Sequence, residues 1–203
     1  EWIELYNTTG ETIHLDGWVL RSFRYNGEDF YVNLNIQLQG DISPRTSEDP
    51  GDMSGFFLLE TRESAVSNIT ADQLYSGSLY NSGEILVLCS PYNLQPNSPA
   101  PCNINVKNKL VDFVNGSLTS TGNIKPWPAG SSSTYGSMER KSPISDEETN
   151  YYTHTGLPPR FGLDVNGGAI KGTPKHSNWA KTVTATPRAT VTPTRTPTRL
   201  PAA

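Results

Sequence analysis

Chemistry in this sequence would have to come from three histidines, two cysteines and several groups of carboxylates. A hydrolytic triad needs a Ser or Cys nucleophile, a base such as His and an orienting acid brought together in space. His14, His154 and His176 are scattered along the chain, and His14 falls between Ile13 and Leu15 in a strand-like stretch. Its ring is expected to face solvent or a neighbouring strand, so no catalytic residue is assigned. Zinc wants Cys or His pairs at short fixed spacing, and none is present. Asp164-Val165-Asn166-Gly167-Gly168 has the opening of a calcium loop but no closing carboxylate downstream, which favours a plain turn. Glu48, Asp49 and Asp52 form a small acidic cluster suited at most to a weak calcium ion, and acidic loops are more often simply solvated. Asp146, Glu147 and Glu148 are adjacent and lie in a polar run, so they lack the split pKa values that acid–base work requires and read as surface. The expectation is no catalytic site, no cofactor and no metal.

Cys89 and Cys102 flank a Pro/Asn-rich stretch that a loop-closing disulfide would fit in an oxidising compartment; the alternative is two free thiols. Asn7, Asn68 and Asn115 each begin an Asn-x-Ser/Thr sequon, relevant only in a eukaryotic secretory protein. Trp127, Tyr151, Tyr152 and Trp179 could build a flat sugar-binding platform, but core and capping roles are favoured for aromatics of this kind.

The elements that must position these residues are strands. With 17 Gly, 16 Pro and 9 Tyr against 2 Met, the composition favours turns and sheets over long helices. Apolar residues alternate over 1–6 and 12–20 and form dense runs at 56–59, 85–88 and 110–114, all of strand length. Turn signals separate them, among them Asp16-Gly17, Asn26-Gly27, Asn81-Ser82-Gly83 and Asn115-Gly116. Residues 64–75 hold at most one helical turn and are taken as a loop. Residues 40–54 and 93–108 look like long surface loops. From 182 onward the chain becomes Thr/Pro-rich, with almost nothing to bury, and reads as a disordered, extended linker. Arg188, Arg195 and Arg199 with Lys181 make that tail mildly basic, which solubilisation of a linker explains as well as contact with anionic polymers. The chain opens at Glu1 without an initiator Met, directly in a strand pattern, which implies a processed or truncated N-terminus.

Read in order, "EWIELYN", "IHLDGWVL", "GFFLLE", "ADQLYSGSLYNSGEILVL", "VDFV", "WPAG", "GSMER" and "GLDVNGGAIKGTPKHSN" resemble the lamin-tail domain in its bacterial secreted form. The resemblance runs from Glu1 to about Asn178, which sets a domain over residues 1–181 with 182–203 as the linker. It implies an all-β, immunoglobulin-like β-sandwich with no catalytic residue and no cofactor. Trp2, Glu4, Leu5, Trp18, Gly83, Glu84, Glu139 and Arg140 are the motif residues it marks as structural. On the strand after Asp16-Gly17, Trp18 and Leu20 should point to one side and Val19 to the other. The family opens with a strand before "EWIELYN" that this chain lacks, which would leave a sheet edge open. The resemblance is weakest over 21–54, where more loop is expected than a minimal domain needs.

A net charge of −4 gives no general attraction to polyanions, so nucleic acid is a disfavoured partner. No apolar stretch nears the roughly 20 residues that span a bilayer. The function expected is a non-enzymatic, extracellular or cell-surface binding, attachment or spacer module, with an extracellular polymer, an envelope component or a neighbouring domain as partner. The alternative is an accessory, DNA-contacting domain of a secreted hydrolase such as a nuclease.

Overall fold

A computed structural model describes residues 1–47, 52–62, 65–91, 110–115, 118–143, 147–158 and 160–177. Cys102, Glu48, Asp49, Asp146, Trp179, the 93–108 stretch and the linker from 182 lie outside the described residues. Among the described residues eleven strands run in the order β1 (Trp2–Tyr6), β2 (Ile13–His14), β3 (Val19–Tyr25), β4 (Phe30–Gln37), β5 (Asp41–Ile42), β6 (Phe56–Glu60), β7 (Gln73–Leu74), β8 (Ile85–Cys89), β9 (Leu110–Val114), β10 (Met138–Arg140) and β11 (Tyr151–Thr153). Among the described residues helical conformation is found in the single 3₁₀ turn Glu148–Asn150 and at Pro91. Among the described residues no helix is long and apolar enough to cross a membrane, which says nothing about strands.

The dense apolar runs become central strands. β6 lies between β1 and β7 in a small sheet, and β3 and β8 form the middle of a larger one ordered β4-β3-β8-β9. Successive side chains of a strand alternate between faces. Thus Leu5, Phe57 and Leu59 of the small sheet meet Leu20, Leu34, Ile36, Leu86 and Leu88 of the large one in a single core, together with Trp18. The two sheets are therefore the layers of an all-β sandwich. Trp18 and Leu20 enter this core as their spacing predicts, and Asp16-Gly17 turns the chain ahead of them, Gly17 at a positive φ. Leu58 and Leu59 are fully buried on opposite faces of β6, each contributing about 2–3 kcal/mol.

One expectation is corrected. Residues 21–54, read as loop-rich, carry most of β3 and all of β4, the two longest strands described, paired as a hairpin. The pairing register shifts between Ser22 and Phe23, leaving Asn33 as the extra residue on β4. Such a bulge changes the phase of the side chains, so no single alternation runs through the segment. Residues 40–54 likewise contribute β5, whose Ile42 is buried opposite Ile13.

Gly83, in the turn before β8, has φ +112, and a Cβ there would lie 2.5 Å from the Lys125 carbonyl oxygen. The same carbonyl accepts a hydrogen bond from Asn115 Nδ2 (2.6 Å), which also donates to Glu84 O (3.1 Å). A glycine and a left-handed asparagine thus tie the ends of β8 and β9 to residue 125.

Candidate functional site

The carboxylates that approach one another do so on the outer face of the small sheet. Trp2, Glu4 and Tyr6 share that face, opposite the core-facing Ile3 and Leu5. Residues 160–177 wrap over it, with Ile170 and Trp2 packed against Leu58, Val66 and Ile69. Glu4 accepts a hydrogen bond at Oε2 from the Lys175 backbone N–H, and Lys175 Nζ pairs with Asp72 at 2.7 Å. Asp72 in turn accepts from the Leu58 N–H at 2.6 Å.

Glu139 of β10 is buried beside them. Its Oε1 accepts from Thr173 N (2.8 Å), Thr173 Oγ1 (3.1 Å) and Ser137 Oγ (2.9 Å), and its Oε2 from the Tyr152 hydroxyl (2.6 Å). Burial pushes the Glu4 carboxyl up to about 8; the Lys175 N–H pulls against this, and the nearby charge of Glu139 reinforces it. Burial, together with the bond to Glu139, also raises the Tyr152 hydroxyl above its ordinary range.

Beside this cluster opens a cleft of about 910 Å³. All five residues of β1 line it, together with β10, residues 129–133 and the partly buried Leu88, Val114 and Trp127, which pack against the core. β1 is an edge strand of the small sheet. The bonds Thr61 N–Glu1 O and Asn7 N–Gly55 O continue its antiparallel ladder with β6. Odd-numbered residues therefore turn their backbone groups toward β6, and Trp2 and Glu4 turn theirs outward. Among the described residues no hydrogen bond takes up those outward groups.

The edge of the large sheet at β9 is different. Phe113 N–H is capped by Asp112 Oδ1 (2.8 Å), and Phe113 O accepts from Arg140 Nη2 (3.3 Å), which also pairs with Asp112 at 2.7 Å. Burial works against the Arg140 charge, but Asp112 and Tyr151 outweigh it and hold the guanidinium's pKa above its ordinary value.

Of the residues singled out from sequence, Trp2, Glu4, Glu139 and Arg140 gather at this cleft, and Leu5 backs it from the core side. Trp18, Gly83 and Glu84 lie elsewhere: Trp18 in the core, Gly83 in its turn, and Glu84 fully buried at the start of β8. Burial lifts the Glu84 carboxyl, with Ser22, Asn33 and Arg24 pulling the other way. Cys89 is disulfide-bonded.

The histidines, the Asp164 turn, Asp52 and Glu148 are separate from the cleft's chemistry. His14 is exposed and pairs with Asp41; His154 Nδ1 accepts from Gly156 N; His176 is buried and stacks on Phe161. Asp164 Oδ1 accepts from the N–H groups of Asn166 and Gly168, closing its own turn. Asp52 caps Ser47 and Ser54, bonds with Ser54 being the main cause of its lowered pKa. Glu148 pairs with Lys125. Among the described residues no group of three or more His, Cys, Asp or Glu is placed to hold a metal ion. Tyr151 is buried, Tyr152 is bonded to Glu139, and Trp127 donates to Tyr80 O, so the three do not form one open face. Asn7 and Asn115 are buried and hydrogen-bonded through their side chains.

Asp72, Thr173 and Lys175 were not marked by sequence reasoning; the only signal was their presence in two quoted segments, to which no role attached. The site belongs to an all-β, sheet-on-sheet protein with an acidic cluster beside an open strand edge. No family model, no curated protein and no solved structure matches the chain.

Proposed function

We propose that this chain is a non-catalytic module that works outside the cell, attaching or positioning a neighbouring domain against an extracellular polymer or envelope component. In this reading it is an immunoglobulin-like sandwich of the lamin-tail kind, and residues 182–203 are a disordered spacer leading from it. The observation that carries the reading is how the acidic cluster is used. Glu139 spends both oxygens on Thr173, Ser137 and Tyr152, and Asp72 spends its own on Lys175 and Leu58. These groups tie β10, β11 and the 160–177 wrap to β1 and β6, leaving no base poised over a nucleophile. Recognition falls instead to the neighbouring cleft.

The disulfide at Cys89 supports an oxidising compartment, and we assign Cys102, the other cysteine of the sequence, as its partner. Hydrolysis assays on duplex DNA, aryl esters and glycans test the reading: no turnover above buffer is expected, whereas turnover that disappears on unfolding overturns it. Anisotropy with duplex DNA at low and physiological salt separates the nuclease-accessory alternative, which requires steeply salt-sensitive binding.

A further inference from the structure

The loop at residues 131–136 holds one aromatic side chain out into solvent. Reciprocal backbone bonds between Ser131 and Gly136 (2.9 and 3.2 Å) close it, Ser131 Oγ accepts from the Thr134 N–H (3.1 Å), and Lys171 Nζ donates to Thr134 O (2.6 Å). Tyr135 in this loop has φ +58 and is 84% exposed. A bulky residue in the left-handed region is strained, and asparagine or glycine would adopt it more easily. Exposure leaves the ring no burial to offset that strain, so packing does not account for a tyrosine at this position.

Tyr135 lines the cleft with Ser131, Ser132 and Ser133 of the same loop and with Tyr80 and Trp127. The Ser131 and Ser133 hydroxyls share a hydrogen bond, while those of Ser132 and Tyr135 have no partner among the described residues. The charged groups of the lining are committed to the protein itself. Asp112 pairs with Arg140, Glu139 accepts from Thr173, Ser137 and Tyr152, and Glu1 accepts from the Tyr75 hydroxyl and the Leu79 N–H. Glu4 accepts from the Lys175 N–H, and burial pushes its carboxyl up to about 8. Lys171 has no carboxylate partner among the described residues, but its ammonium is held on the Thr134 carbonyl. A charged ligand thus meets no free counterpart, whereas an open ring and hydroxyl groups are on offer.

We propose that the loop and the adjoining cleft bind an uncharged polysaccharide, one sugar ring stacking on Tyr135 and bonding through its hydroxyls to Ser132 and the Tyr135 phenol. The proposal rests on the binding-module reading and narrows its polymer to a neutral glycan. A sugar ring has an apolar C–H face and a rim of hydroxyls, which matches an aromatic side chain with an apolar body and a free polar tip. Trp127, fixed by its bond to Tyr80 O (2.7 Å), and Tyr80, which carries the Arg24 guanidinium over its ring at 3.5 Å, extend the aromatic wall toward further units of the chain.

The test probes an array of neutral and acidic glycans with the intact protein and titrates the tightest one. Neutral chains should lead, with an affinity that changes less than about twofold between about 0.05 and 0.5 M NaCl, since no ion pair is involved. Tyr135→Ala should weaken binding at least about tenfold. Tyr135→Phe keeps the ring and should weaken it less than about fivefold. Tyr135→Asn separates recognition from structure: asparagine suits the left-handed backbone, so binding should fall as in the alanine variant while the melting midpoint stays level or rises.

Three outcomes overturn the proposal: an array on which no glycan is bound, binding confined to acidic chains or lost on adding salt, or a Tyr135→Asn protein that binds as the parent does or melts more than about 4 °C lower. A protein that binds no glycan leaves the module reading to the hydrolysis assays. One that cleaves the neutral glycan it binds keeps this site and loses that reading.

Discussion

β9 and β1 are both edge strands, one on each sheet, and they meet the hazard of unpaired backbone groups in opposite ways. At β9 side chains close the edge: Asp112 caps Phe113 N–H and Arg140 covers Phe113 O. At β1 the comparable groups of Trp2 and Glu4 face a cleft. Sealing an edge needs one acceptor and one forked donor held in register, and β9 has both. The acidic cluster beside β1 has the side chains to do the same, yet it is directed outward to the 160–177 wrap. Closure at β9 therefore protects the sandwich, while among the described residues no hydrogen bond takes up the outward backbone groups of Trp2 and Glu4 at β1.

The largest expected effect comes from the cluster that anchors the open side. Glu139→Ala leaves the Thr173 N–H and three hydroxyl donors without their buried acceptor. A loss of about 3 kcal/mol is expected, read as a lower urea midpoint with an unchanged slope. If the cost is below about 1 kcal/mol, the cluster does not hold the wrap.

Asp112→Ala sharpens the contrast by opening the closed edge. It removes the cap of Phe113 and the partner of Arg140, costing about 1–2 kcal/mol. It should also promote concentration-dependent association, seen by light scattering, because a second edge is bared.

Acidity acts on the open side through Glu4. Glu4 has its carboxyl pushed up to about 8 from the ordinary 4.5, so the folded state holds a proton that the unfolded state releases. Its contribution is fully present below about 4.5 and is lost as pH rises through about 8. Thermal melts should fall in midpoint across that window, and Glu4→Gln should flatten the slope without the same loss.

The smallest effect belongs to the exposed His14–Asp41 pair, away from both edges. Asp41→Asn should leave the melting midpoint within about 2 °C of the parent.

How far the sequence foretold this arrangement depended on how local each signal was. The runs at 56–59 and 85–88 are apolar on both faces because both faces are covered, and they appear as β6 and β8. The alternation over 1–6 and the bend at Asp16-Gly17 were readable for the same reason: each is set by residues a few positions apart. The β3–β4 hairpin was hidden by its bulge and by the exposed residues Tyr31, Val32 and Asn33, although Asn26-Gly27 marked its turn. Asn7 and Asn115 look like surface sequons, yet their amides satisfy buried carbonyls. Least legible was the union of Glu4 with Lys175 and Glu139, whose partners lie at opposite ends of the chain and obey no short-range spacing.

Residue-resolved hydrogen exchange on the intact protein tests the difference between the edges most directly. The Ile3 and Leu5 amides, which point at β6, and the capped Phe113 amide should be protected, while the Trp2 and Glu4 amides exchange at least about a hundredfold faster. Equal protection of Glu4 and its neighbours Ile3 and Leu5 would contradict the account, since it would mean that the β1 edge is already filled.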